Sequence, residues 1–165
     1  MLFGVNSAEL FDRYSPLVMR RATAILGDED EAKDVLQDVF LKVFVQESYE
    51  ERGRTAAWLY RITTNFCLNR IRDSGRQRAL RERHLGDRSS IASPDLERVL
   101  LVREILSAIE EREAQAAIYV YVDGMSHREA AEMIGVSKRT IGNLLERFQQ
   151  AANARLGEKK EAKHG

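Results

Sequence analysis

A chain of 165 residues, 44% hydrophobic and 32% charged, is long enough for one or two packed domains and too apolar to be disordered throughout. A single cysteine, Cys67, excludes an internal disulfide framework. The three histidines, His84, His127 and His164, lie too far apart for a ligand set, so neither a metal nor a cofactor is expected.

The start, Met1-Leu2-Phe3-Gly4-Val5, lacks the basic segment and long apolar run of a secretory signal. No stretch of about 18 apolar residues occurs, so no membrane insertion is expected. The lone thiol fits the reducing cytoplasm. Residues 8–26 place Leu10, Tyr14, Leu17, Val18 and Ile25 at steps of three and four, which predicts an amphipathic helix ended by Gly27. Asp28 caps a second helix to about Val45, with acids in its first turn. Its apolar stripe is Ala32, Val35, Leu36, Val39, Phe40, Val43 and Phe44.

Residues 46–54 lose the period and read as a loop. A third helix over 55–73 carries Trp58, Leu59, Ile62, Phe66 and Ile71 on its apolar side. Cys67 reads as buried or half-buried there. Ser74-Gly75 is expected to break or fray this helix, with a short basic helix following to Leu85. Gly86 to Pro94 has the composition of a linker, and Ser93-Pro94 supplies a cap and first turn for the next helix. Residues 95–110 carry Leu96, Val99, Leu100, Ile105, Leu106 and Ile109. Further helices are expected over 112–122, 127–134 and 138–156, then a charged, disordered tail from Gly157. No alternating strand pattern and no internal repeat are visible. The fold class is therefore all-α, as two small helical domains: 1–85, a flexible linker at 86–94, and 95–165.

The zero net charge argues against a nucleic-acid partner until its distribution is read. From Asp28 to Glu51 there are nine acids and two bases, a net of −7; from Arg52 to Arg88 there are ten arginines and three acids, a net of +7. The acidic part suits a protein partner and the arginine part suits phosphates. The plainer alternative is that both are solvated helix faces.

The second domain holds Ser126-His127-Arg128-Glu129-Ala130-Ala131-Glu132-Met133-Ile134-Gly135-Val136-Ser137-Lys138-Arg139-Thr140-Ile141-Gly142-Asn143-Leu144-Leu145. Ser126 and Glu129 form a capping box. Ala131 is small where two helices would cross, Gly135 permits the turn, and Val136, Ile141 and Leu144 would plug the angle. This is a helix-turn-helix pattern. Lys138, Arg139, Gly142, Asn143 and Glu146 would face outward from the second helix. Arg139 can clamp guanine and Asn143 adenine, while Lys138 can serve phosphate or base. Gly142 costs about 1 kcal/mol of helix propensity relative to alanine.

Together the two halves resemble the sigma-70 family of RNA polymerase subunits, in its extracytoplasmic-function (ECF) form, over roughly residues 8–156. Asp34-Val35-Leu36-Gln37-Asp38-Val39-Phe40-Leu41 is similar to the polymerase-binding helix. Trp58-Leu59-Tyr60-Arg61-Ile62-Thr63-Thr64-Asn65 is similar to the promoter-melting helix. The helix-turn-helix is similar to the reader of the −35 element. The resemblance implies core RNA polymerase (β′ coiled coil and β flap) and promoter DNA as partners, with an anti-sigma factor for many members. It implies polymerase contacts at Asp34, Gln37, Asp38 and Leu41. For the −10 region it implies Tyr49, Trp58, Arg61, Asn65, Arg70, Arg72, Arg76 and Arg78, with a base-capturing loop over 47–54. For the −35 element it implies Ser137, Lys138, Arg139, Thr140, Gly142, Asn143 and Arg147. Departures from the family pattern are Glu47 beside DNA, Asn69 for an aspartate, Arg139 for a glycine and apolar Leu144 for a basic residue. The competing reading is a stand-alone helix-turn-helix regulator with a dimerising first domain. No nucleophile–base pair, phosphate loop or metal cluster points to an enzyme.

Overall fold

The computed structural model of the chain describes residues 7–45, 54–85 and 93–164. Every regular element among them is helical: α1 (Ser7–Leu26), α2 (Glu29–Val45), α3 (Thr55–Leu85), α4 (Pro94–Ala108), α5 (Glu111–Ala117), a π-helical turn (Ile118–Val122), α6 (His127–Ile134) and α7 (Lys138–His164). Packing divides the chain into two units, Met1–Arg70 and Ile71–Gly165. The division falls within α3, so residues 71–85 count with the second unit.

In the first unit, α1 closes at Gly27, whose N–H donates to the Thr23 carbonyl (2.9 Å). The Asp28 carboxylate accepts the Glu31 N–H (2.8 Å) and opens α2 one residue later. The core is built from Leu10, Val18, Ala22 and Leu26 of α1, Ala32, Val35, Val39, Phe40 and Val43 of α2, and Leu59, Ile62, Cys67 and Leu68 of α3. Two members of the expected α2 stripe lie at its margin: Leu36 is half-buried and Phe44 is exposed. The stripe is wider than the strip a packed helix hides.

Apolar periodicity missed Arg21, which is only 4% exposed. Its Nε and Nη2 donate to Thr64 Oγ1 (3.3 and 3.1 Å), and its guanidinium carbon lies 3.9 Å from the centre of the Tyr60 ring. Thr64 donates in turn to the Tyr60 carbonyl (2.9 Å), and Thr63 to the Leu59 carbonyl (2.7 Å). These back-bonds let two threonines sit inside the core within a helix. A buried cation is tolerated only with partners of this kind.

In the second unit three expectations are corrected. First, α3 is not broken at Ser74-Gly75. Glycine weakens a helix by about 1 kcal/mol without ending it, and Gly75 is not among the glycines with positive φ. A Cβ there would stand 3.1 Å from the Ser107 side chain, so α3 and α4 come close where the glycine lies. Second, the helix expected over 112–122 changes register: the Asp123 N–H donates to the Ile118 carbonyl, five residues back (3.0 Å), the π spacing. Third, the tail from Gly157 continues α7 to His164. Arg155 and Lys159 both reach Glu104 of α4 (3.1 and 3.5 Å), ion pairs that hold the extension.

At the start of α4, Ser93 Oγ accepts the Leu96 N–H (3.4 Å) and Pro94 takes the first turn. Leu96 and Val99, expected in the core, are exposed at 49% and 36%, and burial begins only at Ile105 and Leu106. Apolar residues at four consecutive positions, 99–102, surround the helix and select no single face. Ala114, Ala116, Ala117, Ile118, Tyr119, Ala130, Ala131, Ile141, Leu144 and Leu145 complete the core of this unit.

Candidate nucleic-acid interface

The helix-turn-helix is assembled as its sequence requires. The Ser126 N–H donates to Glu129 Oε2 (2.8 Å) and the Glu129 N–H returns to Ser126 Oγ (3.2 Å), closing the capping box of α6. The Ser126 backbone N–H, and after it the Ser126 side chain, favour the charged form and hold the Glu129 carboxyl below the usual carboxylate range. Gly135 ends α6 at φ 78°, a left-handed conformation that side chains rarely adopt. The Gly135 and Val136 N–H groups both donate to the Ala131 carbonyl (2.9 and 3.0 Å). Ser137 Oγ then accepts the Thr140 N–H (3.1 Å) and lies 2.8 Å from the Thr140 hydroxyl.

Because Ile141, Leu144 and Leu145 turn inward, the opposite face of α7 is fixed by helical geometry. Lys138, Arg139, Asn143 and Glu146 are exposed on it, with Gly142 partly so. The remaining −35 candidates are committed elsewhere. Ser137 and Thr140 engage each other in the cap. Arg147, though exposed, lies 3.9 Å from the buried carboxylate of Glu113 on α5. Sequence reasoning missed Glu113; its signal is a charged residue inside the otherwise buried run 113–119. Leu144 is core, which explains an apolar residue there.

In the first unit, Asp34, Gln37, Asp38 and Leu41 are all exposed on α2, and Leu41 shows 61% of its surface one turn from Gln37 and Asp38. Trp58 and Asn65 of α3 are half-buried and Arg61 is exposed. Arg70 pairs with Asp34, bringing together two candidates that the sequence assigned to different partners. The two are 36 residues apart, which no local pattern reports. Of the arginines further along α3, Arg72 lies 3.7 Å from Glu111, Arg76 lies 3.9 Å from Asp73, and Arg78 is exposed. Tyr49 and residues 47–53 of the loop expected over 47–54 lie outside the described residues.

Residues 10–77 match the family model Sigma-70 region 2, and residues 100–147 match Sigma-70, region 4. The chain belongs to the sigma-70 family. This sigma-70 chain is 30% identical over 151 residues to the ECF RNA polymerase sigma factor SigE of Mycolicibacterium smegmatis, covering 86% of this chain and 58% of the relative. It is 23% identical over 164 residues to the ECF factor SigW of Bacillus subtilis, covering 90% and 88%. Both of these relatives are named as ECF factors. Two solved structures share its fold. The sigma factor RpoE of Bartonella quintana, in complex with the anti-sigma factor NepR, is 22% identical with a TM-score of 0.51 over 91% of this chain and 96% of that one. CnrH, in complex with the cytosolic domain of CnrY, is 21% identical with a TM-score of 0.54 over 92% and 88%. Both family regions fall on the elements described above: region 2 on α1, α2 and most of α3, region 4 on α4 through the first turns of α7.

Proposed function

We propose that this protein binds core RNA polymerase, directs it to particular promoters and helps open the −10 element, acting in the cytoplasm as a binding protein without catalysis or cofactor. The α2 face of Asp34, Gln37, Asp38 and Leu41 docks on the β′ coiled coil, and the second unit sits near the β flap. Trp58, Arg61, Asn65 and the arginines of α3 follow the −10 region, while Lys138, Arg139 and Asn143 read the −35 element. An anti-sigma protein is a further partner, as NepR is of the Bartonella factor.

The observation that carries this reading is Leu41, 61% exposed on an acidic helix. A solvated acidic face has no use for a leucine, whereas covering one fully contributes about 1.5–3 kcal/mol. The competing reading, a regulator that dimerises through its first unit, would set this acidic face against a copy of itself, where like charges repel.

Replacing Gln37 and Leu41 together by alanine is expected to weaken binding to purified core polymerase by about tenfold or more, the equivalent of losing one buried leucine. Circular dichroism should stay that of the parent. Undiminished binding to core would remove α2 from the polymerase interface. Sedimentation of the free protein as a stable dimer would favour the regulator instead.

A further inference from the structure

Gly142 lies at the edge of the exposed face of α7, partly exposed, one turn from Lys138 and Arg139 on one side and from Glu146 on the other. Glycine is the poorest helix former after proline, and the protein's own architecture gives no reason for it here. The backbone is ordinary right-handed helix, since the positive-φ glycines among the described residues are Gly27, Gly124 and Gly135. A Cβ at Gly142 would meet nothing within 4 Å. Gly75 differs, because a Cβ there would crowd Ser107 at 3.1 Å, and so does Gly135, at φ 78°. Nothing within the chain itself calls for a glycine at 142.

We propose that Gly142 is the point at which α7 comes closest to the −35 duplex, its bare backbone seating a base-pair edge in the major groove between the side chains of Arg139 and Glu146. This rests on the assignment of α7 to the −35 element and extends it to a specificity-determining residue. Residues 138 to 146 span about 12 Å along the helix axis, so the gap left at 142 has long side chains as walls and main chain as floor. Glycines serve in this way wherever backbone must approach a ligand closely. With the floor lowered by one side chain, the short amide of Asn143 reaches base edges that a more distant helix would leave to longer residues. The carboxylate of Glu146, on the same face, can accept only from a base amino group such as cytosine N4.

Gly157 provides the control. It too lies in α7 with nothing within 4 Å of a built Cβ, but more than four turns past the turn of the helix-turn-helix. Gly142→Ala and Gly157→Ala should each raise the melting temperature of the free protein, by about 2–8 °C, because alanine favours the helix. Only Gly142→Ala should weaken the assembled holoenzyme on promoter DNA, by roughly fivefold to a hundredfold, the span of one lost base-pair match. Gly142→Gln should weaken it further. Neither change should alter the salt dependence of binding, because no phosphate contact is lost. Parental promoter binding by Gly142→Ala, or a fall in its melting temperature, would overturn the proposal. Arg139→Ala, measured alongside, separates the levels. If it too left −35 binding unchanged, the assignment of α7 to that element would be at fault rather than the close approach.

Discussion

Glu129 joins a local bond to the behaviour of a whole motif. Its carboxylate accepts the Ser126 N–H at 2.8 Å, and that bond keeps it ionised below the usual carboxylate range. A carboxyl whose pKa is lowered on folding adds stability that is fully present above the unfolded value and is lost as pH falls through the folded one. The cap of α6 should therefore weaken on the acid side of about pH 5. Glu129→Gln keeps an acceptor for the Ser126 N–H and removes the titration. Thermal melts across this range should show a shallower acid decline for the glutamine variant than for the parent. Parallel curves would mean that the capping bond contributes nothing that titrates. This bond was legible in the sequence because both partners lie three residues apart. Arg21 and Thr64 were not, since the bond joins residues 43 apart and apolar periodicity does not register a buried cation. The available signal was position: Arg21 follows Val18 by three and precedes Ile25 by four, on the inward face of α1.

Among the helices, legibility follows the same division between local and distant causes. The boundaries of α1, α2 and α6 were readable because caps and periodic stripes are written within a few residues. The continuity of α3 and the extension of α7 were not, because the close packing on Ser107 and the ion pairs to Glu104 come from α4, far along the chain. Distant partners also sort the arginines of α3, which the sequence could only treat alike. Arg61 is exposed, while Arg70 already faces Asp34 and Arg72 faces Glu111. Losing a true phosphate contact reduces the slope of log K against log salt by about 0.9 on duplex and about 0.7 on a single strand. Arg61→Ala should produce most of that change in promoter binding by the holoenzyme. Arg70→Ala should produce less, because its charge is already partly neutralised in the free protein. Equal slopes for the parent and both variants would make these arginines ordinary surface charges.

At the scale of the molecule, a net charge of zero conceals a segment of −7 followed by one of +7, and the chain packs as two compact units. If each unit reads its own DNA element, altering one reader should change one preference and leave the other intact. Arg139 and Asn143 lie one turn apart on the exposed face of α7, set there by the inward turn of Ile141, Leu144 and Leu145. Arginine can clamp guanine, and asparagine adenine, through paired hydrogen bonds worth about 1–3 kcal/mol of discrimination each. Lys138 is a point charge on a flexible stem and serves phosphate without such geometry. Arg139→Ala and Asn143→Ala are thus expected to shift the −35 sequences selected from a randomised promoter library, while the selected −10 sequences stay as they were. Lys138→Ala should lower recovery more evenly across sequences. If the first two variants also lost only overall strength, base edges would not be what α7 reads. The second unit would then select promoters by the width and deformability of the duplex, which can be recognised without a single base-specific bond.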